Sequence, residues 1–116
     1  MRKMRPITTV ETAVFERAAA NCMTPEERSD FIDWIARHPD QGAIVRGTGG
    51  MRKVRWGIRG RGKSGGLRVL YFYLDDKSPL YLITVWDKSN KLSLSDAQKA
   101  QLKTVGKAIK AQLRNQ

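Results

Sequence analysis

Between Gln41 and Leu74 the chain carries eight cations (Arg46, Arg52, Lys53, Arg55, Arg59, Arg61, Lys63 and Arg68) and no acidic residue. A solvated surface normally mixes both signs of charge, so a run of one sign calls for an anionic partner. Within it Lys53, Arg55 and Arg59 alternate with Val54, Trp56 and Ile58, the period of a strand whose two faces differ. Such alternation aims cations at one face of a sheet and concentrates positive potential there, which is how a sheet grips a phosphate backbone. A second row lies near the C-terminus, where Lys99, Lys103, Lys107, Lys110 and Arg114 recur at helical spacing. Two separate basic faces suit a large RNA target.

Other chemistries lack their residues. His38 is the only histidine and Cys22 the only cysteine, so no histidine metal site, two-histidine nuclease, cysteine cluster or internal disulfide can be built. Gly57–Ser64 (GIRGRGKS) formally satisfies the Walker A pattern, and Leu82–Asp87 superficially resembles a Walker B strand. A phosphate-binding loop must open a helix, however, and here Gly65-Gly66 and a strongly β-type run follow. A basic hairpin loop is the expectation. Trp56, Tyr71, Tyr73 and Trp86 can stack on an exposed base, but strand aromatics more often fill a core. Trp56 and Tyr71 are assigned to the core, while Trp86 stays open between core and base stacking.

Size bounds the rest. A chain of 116 residues makes a single domain, residues 1–116, with one modest core. Twenty-two Lys and Arg against 11 Asp and Glu leave +11, far beyond what solubility requires. Charge by itself does not choose among nucleic acid, an anionic membrane surface and an acidic protein. The longest apolar run, Leu80–Trp86, reaches less than half of a bilayer span, and no signal-peptide core follows Met1–Arg5. A cytoplasmic protein with no membrane partner is expected.

The elements that must carry these residues follow from periodicity. Arg5–Thr8 is a candidate edge strand. Thr8 with Glu11 fits a capping box for a helix over about Thr9–Asn21, with Val14, Phe15, Ala18 and Ala19 on its apolar face. Thr24-Pro25-Glu26-Glu27 is a stronger start for a second helix, whose Phe31, Trp34 and Ile35 share a face and which Pro39 ends. His38 then falls at a helix terminus, suited to satisfying a carbonyl. After a bend at Gly47–Gly50 come a strand around Val54–Ile58, a second over Leu67–Leu74, a turn at Asp75–Pro79 and a third over Leu80–Trp86, predicting an antiparallel meander. Ser93 or Ser95 caps a last helix to roughly Leu113, with Leu102, Val105, Ile109 and Leu113 as its packing stripe. The fold class is α+β: two N-terminal helices, a twisted antiparallel sheet of three to four strands and one C-terminal helix.

Three blocks, Gly47–Arg55 (GTGGMRKVR), Gly62–Tyr73 (GKSGGLRVLYFY) and Tyr81–Lys88 (YLITVWDK), the first two led by glycines, resemble in order and spacing the HigB branch of the RelE-type toxins. The likeness extends over most of the chain. It implies a microbial RNase-type fold, membership of a type II toxin-antitoxin pair, and metal-independent, ribosome-dependent cleavage of mRNA without a cofactor. The implied partners are a cognate antitoxin, the 70S ribosome with its mRNA, and operator DNA only as part of the toxin-antitoxin complex. RelE-type toxins place basic residues on the first long strand, where this chain has Lys53 and Arg55; an arginine at the start of the next, matched by Arg68; and a cation after the last, matched by Lys88. A tyrosine that some members use just beyond is absent from Ser89–Leu94.

Such residues suit attack of an RNA 2′-hydroxyl on the adjacent phosphate, because negative charge grows on the phosphoryl oxygens and on the leaving 5′ oxygen. Arginine grips phosphate in bidentate fashion, and a lysine crowded by like charges is a possible general base. Lys53 or Arg55 is expected to serve as base and positioning group, Arg68 to stabilise the transition state and Lys88 to meet the leaving group. Arg52, Arg59, Arg61, Lys63, Trp86, Lys99, Lys103, Lys107 and Lys110 are expected to bind RNA or ribosome. Two rivals remain, a non-catalytic nucleic-acid-binding module and a ParE-like gyrase poison of the same superfamily.

Overall fold

The computed structural model describes residues 6–57, 66–87 and 94–114. In chain order these form β1 (Thr9–Glu11), α1 (Ala13–Cys22), α2 (Pro25–Arg37), β2 (Ala43–Ile44), β3 (Met51–Trp56), β4 (Leu67–Phe72), β5 (Leu80–Asp87) and α3 (Asp96–Arg114). The strands make one sheet in the order β1-β5-β4-β3-β2. Strands β2 to β5 run antiparallel to their neighbours, whereas β1 lies parallel to β5. The expected meander is present, but the sheet is mixed and has five strands among the described residues. The N-terminal edge strand expected over Arg5–Thr8 lies instead at Thr9–Glu11, and β2 is an edge strand of two residues, too short to leave a periodic signal.

The N-terminal edge strand also shortens the first helix. Thr9, Val10 and Glu11 pair with Leu80, Tyr81 and Leu82, so the helix expected from Thr9 begins only at Ala13. Its N-cap is Thr12 rather than Thr8. The Thr12 hydroxyl accepts from the Phe15 N–H at 3.2 Å and donates to the Leu82 carbonyl at 2.8 Å, so one side chain starts the helix and ties it to β5. Glu11, expected to complete a box with Thr8, instead binds Arg28 of α2. The second helix begins as its sequence indicates: Thr24 and Glu27 exchange reciprocal bonds at 3.1 and 2.7 Å, with Pro25 in the first turn. At the other end His38 Nδ1 lies 3.0 Å from the Trp34 carbonyl, the helix-terminal position expected of it.

Two cores sandwich the sheet. Helices α1 and α2 bring Phe15, Ala19, Met23, Phe31 and Ile35 against Val54, Leu67, Val69, Tyr71, Leu80, Leu82 and Val85. On the opposite face α3 brings Ile109, with Leu102 and Leu113, against Met51, Leu70 and Phe72. Each fully buried Val, Leu, Ile, Phe or Met among them contributes about 1.5–3 kcal/mol. Ser95 caps α3 through a reciprocal pair with Gln98, at 3.1 and 2.9 Å. Val105, expected in the packing stripe, is 41% exposed, and buried Gly106 takes that place, against the Gly49 carbonyl and Phe72. No helix among the described residues is long and apolar enough to cross a membrane.

Tyr71 is fully buried at the centre of the first core, and its hydroxyl is fully used. It donates to the Pro39 carbonyl at 2.7 Å and accepts the Gly42 N–H at 2.8 Å, clamping the α2–β2 connection to the sheet. Burial pushes its pKa above the ordinary 10.0, with the Gly42 bond and Arg52 opposing more weakly. Tyr71→Phe leaves a buried amide and carbonyl without a partner and should cost about 1–3 kcal/mol in urea unfolding at neutral pH. A tyrosine whose pKa is raised by folding adds stability below its unfolded value that is lost as pH rises through it. Wild type should therefore lose its advantage over Tyr71→Phe progressively above pH 10.0.

Candidate nucleic-acid interface

Strand register places the cations more sharply than alternation does. Arg55 of β3 stands directly opposite Arg68 of β4, and Arg68 opposite Trp86 of β5, making a row across three strands. The next row holds Lys53, Leu70 and Thr84. Side chains in directly opposed positions are about 4.5–5.5 Å apart at Cβ. Lys53 and Arg55 are exposed, and Arg68, Thr84 and Trp86 are partly so. All lie on the α3 face; α3 packs on Met51, Leu70 and Phe72, and no described helix covers the end that carries Arg55 and Arg68.

Trp86 reaches that face because of an irregularity in β5. Tyr71 pairs with Leu82 and Leu70 with Thr84, which leaves Ile83 as an extra residue, the arrangement of a β-bulge. Strict alternation from Leu80 and Leu82 would put Trp86 in the first core. The bulge instead returns Val85 to that core and turns Trp86 to the opposite face, beside Arg68, where its indole packs on the edge of the second core. The uninterrupted apolar run of β5 hides this bulge from sequence reading.

No carboxylate among the described residues pairs with Lys53, Arg55 or Arg68; the described ion pairs are those of Arg28 with Glu11 and Glu16 and of Arg37 with Asp33. Arg68 Nη1 donates to the Leu67 carbonyl at 3.3 Å. Two arginines opposed in register with no carboxylate partner among the described residues repel each other, and an anion seated between them would relieve that repulsion. The planar forks of two guanidiniums suit phosphate.

Not every expected residue joins this group. Arg52 points to the other face, donating to the carbonyls of Gly42 at 2.8 Å and Asp40 at 3.3 Å and lying 5.8 Å from the Tyr73 ring; it braces the β2 connection. Trp56 is core, with ring centres 5.3 Å from Phe31 and 5.2 Å from Trp34. Lys99, Lys103, Lys107 and Lys110 lie on α3, Lys99 and Lys110 half-buried and the other two exposed. Arg59, Arg61, Lys63 and Lys88 fall outside the described residues, as does most of the Walker-like segment; the strand β4 that follows it agrees with the rejection of a phosphate loop.

Charge is divided between the two layers. Residues 6–40, which hold β1, α1 and α2, contain seven acidic side chains and three arginines, whereas α3 contains five cations and only Asp96. The cationic row therefore faces away from the acidic layer. No known family model matches this sequence.

If the Arg55–Arg68 pair is held for ligand rather than for folding, its loss should not destabilise the protein. Arg55→Thr should leave urea stability unchanged or raise it by up to ~1 kcal/mol at low salt, a gain that added salt removes. Heparin should raise the Tm of wild type more than that of the variant.

Proposed function

We propose that this protein is an mRNA endoribonuclease of the RelE/HigB kind, a growth-inhibiting toxin that cuts message on the ribosome and is held inactive by a cognate antitoxin. The observation that carries the reading is the Arg55–Arg68–Trp86 row on an open sheet face, with no carboxylate partner among the described residues. The three sequence blocks that resemble the HigB branch supply the strands that bear it. An indole next to a phosphate grip suits a single-stranded target, whose splayed bases offer a face for stacking.

In the proposed reaction the 2′-oxygen attacks the neighbouring phosphorus and the 5′-oxygen leaves, giving a 2′,3′-cyclic phosphate and a free 5′-hydroxyl. Arg68, at the centre of the row, meets the charge that builds on the phosphoryl oxygens. Lys53 or Arg55 holds the phosphate and assists loss of the 2′ proton. Lys88 would supply the proton or the charge for the leaving oxygen. With no histidine or carboxylate among these groups, much of the rate must come from orientation of the message, which the ribosome provides. The antitoxin partner would silence the enzyme by denying it this substrate, and operator DNA would be bound only by the joint complex.

The test is to express wild type and Arg68→Ala from a tightly repressed promoter at matched protein levels and to map mRNA 5′ ends. Cuts within translated codons should appear with wild type and fall by about 10²–10³ in the variant, the usual loss of one charge-stabilising donor. Growth arrest with intact message and damaged DNA would instead support a gyrase poison, and RNA binding without cleavage a binding module.

A further inference from the structure

We propose that the Gly47–Gly50 turn and the first two lysines of the stripe on α3 form a second phosphate-binding site, which holds the backbone of single-stranded RNA beyond the Arg55–Arg68 row. The inference rests on the reading above for the kind of polyanion bound. Gly47 and Gly49 have φ values of +83° and +73°, a conformation costly for any side chain. Gly49 also has little room for one, since a Cβ there would stand 3.2 Å from Lys103 Cγ and 3.3 Å from its Cα, and a Cβ on Gly47 would rest in contact with Lys99 Cδ at 3.4 Å. The bare backbone of the turn is thus the floor on which both lysine stems lie.

That floor is fixed from beneath. Thr48 is fully buried, donating to the Val45 carbonyl at 2.7 Å and accepting the Met51 N–H at 3.1 Å. Gly106 of α3 backs the Gly49 carbonyl, where a Cβ would lie at 3.5 Å. A lysine whose stem is already packed loses less rotamer freedom when its ammonium takes up a phosphate. Neither Lys99 nor Lys103 pairs with a carboxylate among the described residues. Along α3 the cations repeat at positions 99, 103 and 107 and again at 110 and 114, and such like-charge spacing weakens a helix unless an anion offsets it.

The two sites lie along one line of the sheet. From Met51, next to the turn, to Arg55 is four residues of strand, about 13 Å, with exposed Lys53 between. At a stacked rise of about 3.4 Å per nucleotide this is about four nucleotides. An RNA seated at the Arg55–Arg68 row that runs along β3 reaches the turn within a short stretch.

The experiment uses the full chain and 2′-O-methyl oligoribonucleotides, which lack the attacking hydroxyl, at lengths of about four and about twelve nucleotides. Binding is followed by fluorescence anisotropy across a salt series. Lys99→Gln/Lys103→Gln, which keeps most of each stem, should reduce the slope of log affinity against log salt by about 1.4 for the longer oligonucleotide, the share of two phosphate contacts on a single strand, and leave the shorter one unchanged. Arg55→Gln/Arg68→Gln should weaken both lengths. Arg17→Gln/Arg37→Gln removes the same charge from the acidic layer and should change neither slope. An unchanged slope in the lysine variant overturns the second site and assigns those lysines to another partner, such as an acidic protein segment; the enzymatic reading survives if the arginine variant still loses affinity. Equal slope changes at both lengths, or in the Arg17/Arg37 control, overturn it as well. No loss in either the lysine or the arginine variant removes both proposals.

Discussion

A sheet has two faces to cover, and the three described helices do not cover both completely. Helices α1 and α2 take one face, and α3 takes only the Met51–Phe72 end of the other. The rest of that face carries Lys53 and Arg55, exposed, and Arg68, Thr84 and Trp86, partly exposed. The candidate interface therefore lies where no described helix packs. Because the buried residues of β4 supply both cores, the strand that carries Arg68 is also the best anchored. Fixed cations of this kind are effective because little reorganisation is needed when charge develops beside them.

The bulge at Ile83 couples that face to the N-terminal layer. One extra residue moves Val85 into the first core and Trp86 out beside Arg68. At the same point the Thr12 hydroxyl, which caps α1, is bonded to the Leu82 carbonyl. Helix start, strand irregularity and indole orientation thus meet within a few residues. A bulge commonly re-aims a side chain next to a functional site, and here the side chain re-aimed is the one aromatic of the open row.

Much of this was legible in the residues. Thr24-Pro25 with Glu27 marks the start of α2, and the choice of Ser93 or Ser95 for that of α3 falls to Ser95, because capping is local chemistry. The separation of Lys53 and Arg55 from Val54 and Trp56 was readable because strand alternation needs no tertiary information. The misreadings share a cause in non-local contacts. Thr9–Glu11 reads as helix because its pairing with β5 depends on residues some seventy positions away. Val105 reads as core because periodicity ranks it above Gly106, whereas it is Gly106 that packs against the Gly49 carbonyl and Phe72. Arg52 joins the cations by composition but belongs by strand parity to the other face, with Val54.

The division of charge bears on how the molecule meets a partner. Seven of its eleven acidic residues lie in the segment that forms β1, α1 and α2, whereas Lys53, Arg55, Arg68 and the cations of α3 have no carboxylate partner among the described residues, so the described charge is unevenly divided within a net charge of +11. Net charge raises the rate of encounter with a polyanion, but an uneven division of charge also selects orientation. A phosphate-rich surface would draw the open sheet face inward and turn the acidic layer outward. Arg28 is bound to Glu11 and Glu16, and Arg37 to Asp33, so two of the three arginines among residues 6–40 are paired within that layer. The same separation leaves the acidic layer accessible while the cationic face is occupied, so a protein partner and a nucleic acid need not compete for one surface.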